Sequence, residues 1–78
     1  MPTALRVGPY RLFFFAGDRR EPPHVHVERE KNHAKIWLNP VRLREGGRFR
    51  RDEINRILEL VRANEAQLLR VWDEYFSD

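Results

Sequence analysis

Two patterns along this chain predict an α+β fold: a small antiparallel sheet of about four strands packed on one long C-terminal helix. Up to about residue 43, apolar and polar side chains alternate in short runs that stop at Gly8-Pro9 and Asn39-Pro40, the period of strands with one buried face. From about Arg51 the apolar residues recur at helical spacing instead.

The elements follow in order. Leu5 and Val7 alternate with Ala4 and Arg6, a short strand ending at Gly8-Pro9. Tyr10-Arg11-Leu12-Phe13-Phe14-Phe15 is aromatic and bounded by turn residues, the strongest strand signal. Ala16 to Pro23 is a polar loop whose two prolines impose an extended approach to the next strand. His24-Val25-His26-Val27-Glu28 has period two, Arg29 to His33 is a turn, and Ala34-Lys35-Ile36-Trp37-Leu38 completes a hairpin. Val41-Arg42-Leu43 is a candidate edge strand before Gly46-Gly47 breaks the chain.

Ile54, Ile57, Leu58, Val61, Leu68, Trp72, Tyr75 and Phe76 form the helical stripe, with Asp52 and Glu53 at the dipole-favoured N-terminus. A helix over about 51–76 would be ~39 Å long, too long for so small a sheet. Asn64 and Glu65 interrupt the stripe and mark the place for a kink or break, and the far end is expected to overhang.

The chain of 78 residues is expected to be one domain, 1–78, with the sheet over about 4–43 and the helix over about 51–76; either part alone is too small to bury a core. With no cysteine, disulfides and thiolate metal sites are excluded, which fits a reducing cytosol. The first residues lack a signal-peptide pattern and no stretch reaches the roughly 18–20 apolar residues of a membrane span, so a cytoplasmic location and no membrane partner are expected. Residues 1–47 hold nine Lys/Arg against five Asp/Glu, +4, whereas residues 48–78 hold six against seven, −1. The basic excess lies in the sheet, which suggests an anionic partner.

Alternation sorts the strands into two faces. Leu5, Val7, Leu12, Phe14, Val25, Val27, Ile36 and Leu38 are expected against the helix, and Arg6, Arg11, Phe13, Phe15, His24, His26, Glu28, Lys35 and Trp37 on the other side. One helix covers one face, which leaves three readings for the second. It is an oligomer or partner interface, a nucleic-acid platform that stacks bases on aromatics and holds phosphates with Arg and Lys, or a second small core closed by loop 16–23 or 39–48.

His24 and His26 are the residues most apt to carry chemistry. At positions i and i+2 of a strand their rings share one face, with Cα atoms about 6.5–7 Å apart. One reading makes an imidazole a general acid or base toward phosphate, with Arg6, Arg11, Arg19, Arg20 and Lys35 as cations. The alternative is a metal held by His24, His26 and Glu28, although zinc sites usually take three or four protein ligands and His33 is expected on the far side of the turn. A third makes the rings structural, hydrogen-bonded across strands or to the Pro22-Pro23 loop. No cofactor motif is present: the chain has no Gly-rich phosphate loop, nucleophile elbow or paired catalytic carboxylate.

Met1-Pro2-Thr3, Arg11-Leu12-Phe13-Phe14-Phe15, Glu21-Pro22-Pro23-His24-Val25-His26-Val27, Ala34-Lys35-Ile36-Trp37-Leu38-Asn39-Pro40 and the terminal Leu68-Leu69…Trp72…Tyr75-Phe76 pattern resemble, essentially end to end, a family of small bacterial and archaeal proteins classed as a domain of unknown function. Members are typically encoded beside a second small protein, in an arrangement similar to a toxin–antitoxin pair. The resemblance implies a small partner protein and an RNA-directed toxin, and it assigns no catalytic residues. Self-association is the other partner expected.

Overall fold

The computed structural model describes residues 3–77. Five antiparallel strands run in simple meander order, β1 (Thr3–Val7), β2 (Tyr10–Phe13), β3 (His24–Arg29), β4 (Asn32–Trp37) and β5 (Arg42–Glu45). A 3₁₀ turn, Ala16–Arg20, lies between β2 and β3, and two helices follow the sheet, α1 (Arg51–Ala63) and α2 (Glu65–Phe76). The expected α+β class holds, with two corrections: five strands rather than about four, and two helices rather than one.

The helix breaks at Asn64, whose backbone (φ −115°, ψ 13°) leaves helical geometry. Its side-chain amide donates to the Leu60 carbonyl at 2.8 Å, capping the end of α1, and its own carbonyl accepts from Leu68 N–H to start α2. Length explains the break. A 13-residue helix spans ~20 Å, matching the ~20 Å of a six-residue strand, whereas an unbroken helix would run well past the sheet. Instead of only overhanging, as expected, the far end of α2 packs on the sheet side, where Trp72 and Phe76 meet the Phe14 ring.

The core forms where alternation and helical period meet. Leu12, Phe14, Val25, Val27, Ile36 and Leu38 bury against Ile54, Ile57 and Val61 of α1 and Leu68 and Trp72 of α2. Two residues expected there are less covered: Leu5 is only partly buried, and Val7, at the hairpin end of the edge strand β1, stands outside the core. Tyr10, Ala34, Val41 and Phe49 join instead. A buried Leu or Ile contributes roughly 1.5–3 kcal/mol relative to exposure, so this cluster dominates stability.

Glu53 ties the sheet to the start of α1. Its carboxylate accepts from the Tyr10 hydroxyl at 2.8 Å and pairs in two-pronged fashion with the Arg29 guanidinium. These donors hold the Glu53 pKa below its ordinary value, the Arg29 hydrogen bond being the largest cause.

Gly47 is the tightest backbone contact between the loop after β5 and the sheet. It adopts φ 59°, and a Cβ there would meet the carbonyl oxygen of His33. Gly47→Ala is expected to lower the unfolding free energy by about 1–3 kcal/mol, measured by urea denaturation. An unchanged midpoint would mean that the loop does not pack against β4 in solution.

Candidate functional site

The register of the sheet assembles the polar face row by row. Phe13, His26 and Lys35 form one row across β2, β3 and β4; His24, Trp37 and Arg42 form another across β3, β4 and β5; Arg11, Glu28 and His33 form a third. The β3–β4 turn is only Glu30-Lys31, shorter than the Arg29–His33 turn expected. His33 therefore sits in β4 on the same face as the other two histidines, not beyond the turn.

This face is not open. His24 is fully buried, His26 is 6 % exposed and Phe13 is 3 % exposed. Asp18 of the Ala16–Arg20 turn meets both rings, Trp72 of α2 packs on His24 and Phe15 on His26 and Phe13, so of the three readings of this face the structure comes nearest to the second small core, with α2 as well as the loop supplying cover. The basic aromatic platform is accordingly depleted. Phe15 alone of its aromatics counts as exposed, and Trp37 is half-buried. Arg11 pairs with Glu28 at 3.2 Å and Lys35 with Glu21 at 2.7 Å. Arg6 lies exposed on β1, the strand at the far edge of the sheet.

Asp18 is the residue that sequence reasoning missed. It is buried, and its carboxylate turns inward from the 3₁₀ turn to lie between the two rings. Oδ1 is 3.1 Å from Nε2 of His24 and Oδ2 is 3.0 Å from Nε2 of His26. The turn locks that orientation, because Phe15 N–H donates to Asp18 Oδ2 at 2.8 Å while Asp18 N–H donates back to the Phe15 carbonyl at 3.0 Å. Asp18, His24 and His26 each offer a ligand atom within 4.8 Å of the others. Glu28, the carboxylate expected from its place in the His-x-His row, is turned to Arg11 instead.

The outer nitrogens of both rings are held as well. His24 Nδ1 lies 3.0 Å from the Pro22 carbonyl, which can only accept, so Nδ1 carries a proton. Its Nε2 is buried and has no hydrogen-bond partner. The 3.1 Å approach of Asp18 Oδ1 is at ion-pair distance but is not aligned as a hydrogen bond; alignment decides here, since an oblique contact satisfies little. His26 Nδ1 lies 3.0 Å from Nε2 of His33. Phe13 stacks over both of these imidazoles, with the Arg11 guanidinium 4.4 Å from the Phe13 centroid.

Burial acts to raise the Asp18 pKa, but the Phe15 N–H and the two imidazoles outweigh it and hold the carboxyl below its ordinary value. His26 is also shifted down, chiefly because burial disfavours the imidazolium, with Asp18 pulling the other way.

The fold and site define a small α+β protein with a buried cluster of two histidines and one carboxylate. The family model for a domain of unknown function (DUF4160) matches residues 10–73, and the chain belongs to that family. No curated protein and no solved structure matches the chain. Among the described residues no helix is long and apolar enough to cross a membrane.

The two shifts give the site a definite pH response. Both folded-state values lie below their unfolded ones, so the unfolded chain binds more protons as pH falls. The stabilisation is complete above the ordinary histidine value of about 6.5 and declines below it, the carboxylate part being lost at lower pH still. Thermal unfolding without added metal is expected to show a lower midpoint at about pH 5 than at about pH 7.5, and His26→Gln to flatten the upper part of that decline. The same slope in the variant would remove His26 as its source.

Proposed function

We propose that this protein binds a divalent first-row transition metal through Nε2 of His24, Nε2 of His26 and the Asp18 carboxylate. The observation that carries this reading is that His24 Nε2, buried and without a hydrogen-bond partner, converges with His26 Nε2 and the Asp18 carboxylate, their ligand atoms lying within 4.8 Å of one another. A cation held here would engage the buried His24 nitrogen and the carboxylate together. The spacing suits one: donor atoms held about 2.0–2.1 Å from a tetrahedral zinc lie about 3.3 Å apart, close to the 3.1 and 3.0 Å between the imidazole nitrogens and Asp18. The outer nitrogens fit the usual support of metal-bound histidine, in which the second N–H donates to a carbonyl or other acceptor. Pro22 supplies that acceptor for His24, and His33 Nε2 lies 3.0 Å from the outer nitrogen of His26. Three protein ligands of this kind leave a further position for water or a substrate.

Calorimetric titration of the untagged protein with Zn²⁺ is expected to give one site, abolished by His24→Gln or Asp18→Asn and retained by Glu28→Gln. A metal concentration of about 100 Kd should stabilise the fold by about 2.7 kcal/mol. His33→Ala, which touches no metal in this geometry, should weaken binding about 10- to 100-fold. Absence of saturable binding, or binding that survives His24→Gln in a folded variant, overturns the assignment.

A second reading keeps the chain as a partner-binding component of a toxin–antitoxin-type pair in the cytoplasm. It is favoured by three large apolar side chains, Phe15, Leu43 and Tyr75, that stay more than a third exposed. Co-expression with a small protein encoded beside it should give a stable heteromer in size-exclusion chromatography, weakened by Tyr75→Ser. Separate elution of the two chains would count against this reading.

A further inference from the structure

A cleft opens where β4 ends, independent of the metal reading although it shares a wall with that site. Pro22, Trp37, Leu38, Asn39, Pro40 and Arg42 line a volume of about 260 Å³. It forms because Leu38 N–H bonds the Pro23 carbonyl at 2.9 Å, bringing the Pro22-Pro23 segment against the end of β4. Beyond it the chain turns sharply through Asn39 (φ 54°) and Pro40 before returning as β5. Trp37 and Arg42 are directly opposed in the β4–β5 register, so the indole and the guanidinium stand side by side on one face.

The chemistry of this lining is specific. It holds one half-buried aromatic side chain, two proline rings, one amide and one cation, and no acidic residue. Arg42 is exposed and makes no hydrogen bond or ion pair with another described residue, unlike Arg11, Arg29 and Lys35, each of which has a carboxylate partner. The Glu65 carboxylate beside the rim is engaged by the Asn39 backbone N–H at 3.0 Å. Lys35 Nζ lies 5.3 Å from the Trp37 centroid but is paired with Glu21 at 2.7 Å, so Arg42 is the cation the cleft offers.

We propose that this cleft binds one nucleotide of a single-stranded RNA, with the base against Trp37 and the proline rings and the adjoining phosphate on Arg42. Charge and size both favour that occupant. The unpaired guanidinium and the acid-free lining call for an anion, and Arg is suited to phosphate recognition. An aromatic ring beside a cation is the minimal unit of single-strand binding, because every base presents a π-face. At about 260 Å³ the cleft is slightly smaller than the roughly 300–1,000 Å³ of drug-sized ligand sites and far below the ~800 Å² per partner of a protein interface. It is fit for a single planar group. The strand, rather than a free nucleotide, is favoured because the basic excess of residues 1–47, nine Lys/Arg against five Asp/Glu, can act on neighbouring phosphates.

The test is titration of the full chain with a short single-stranded oligouridylate at several salt concentrations, with UMP, the matching duplex and an acidic peptide as controls. Saturation by the oligonucleotide should shift the Trp37 Nε1–H resonance and leave that of the buried Trp72 in place. Trp37→Ala should weaken binding about 10- to 100-fold. Arg42→Gln, a surface change that leaves the fold intact, should weaken it and reduce the slope of log affinity against log salt by about 0.7, the value of one phosphate contact on a single strand. An unmoved Trp37 resonance, or unchanged affinity and slope in Arg42→Gln, overturns the proposal. Equal or tighter binding of UMP, the duplex or the peptide does so as well.

Discussion

The structure of the polar face depends on one buried carboxylate. Asp18 is carried inward by a five-residue 3₁₀ turn and set between His24 and His26. Burying a carboxylate is costly unless it is hydrogen-bonded and matched by neighbouring groups, and here the Phe15 N–H and two imidazoles supply that match. Lifting the turn would break these contacts and open the histidines to water. Phe13 beside them is buried among Phe15, His26, His33 and Arg11. In a chain without cysteine, a second, polar-centred core supplements the apolar one beneath the helices.

That burial reassigns the histidines. A strand with two exposed imidazoles among cations would be a surface for phosphate chemistry, as the alternation of residues suggests. Under the 16–20 turn the same rings become inward-pointing donors whose outer nitrogens are already engaged by Pro22 and His33. Ring orientation is thus fixed by groups other than a ligand, a form of preorganisation that metal centres use. The cations that phosphate chemistry would need are mostly committed elsewhere, Arg11 to Glu28 and Lys35 to Glu21. Arg42, opposite Trp37, has no carboxylate partner among the described residues.

The two candidate sites are adjacent through shared residues. The Pro22 carbonyl that holds His24 belongs to the segment that walls the cleft, and the Trp37 ring lies edge-on to His24 at 5.6 Å. A change in the Pro22-Pro23 segment would reach both at once.

The sequence by itself determined the class of the fold, the faces of the central strands and the position of the helix break. Side-chain direction along a strand or helix is a local property, so Val25, Val27, Ile36 and Leu38 on one face and His24, His26 and Trp37 on the other could be read from alternation alone. Asn64 and Glu65 interrupted the apolar stripe visibly. His33 was readable in principle, since counting back from a two-residue turn places it diagonal to His26 on the same face. Only the tertiary structure decided that the second face is covered, that Asp18 rather than Glu28 joins the histidines, and that Trp37 meets Arg42 at a cleft. A polar loop has no period, and Asp18 precedes His24 in a segment whose path is set by where its carboxylate finds hydrogen-bond partners. Those partners are supplied by a strand that the local pattern of the loop cannot see.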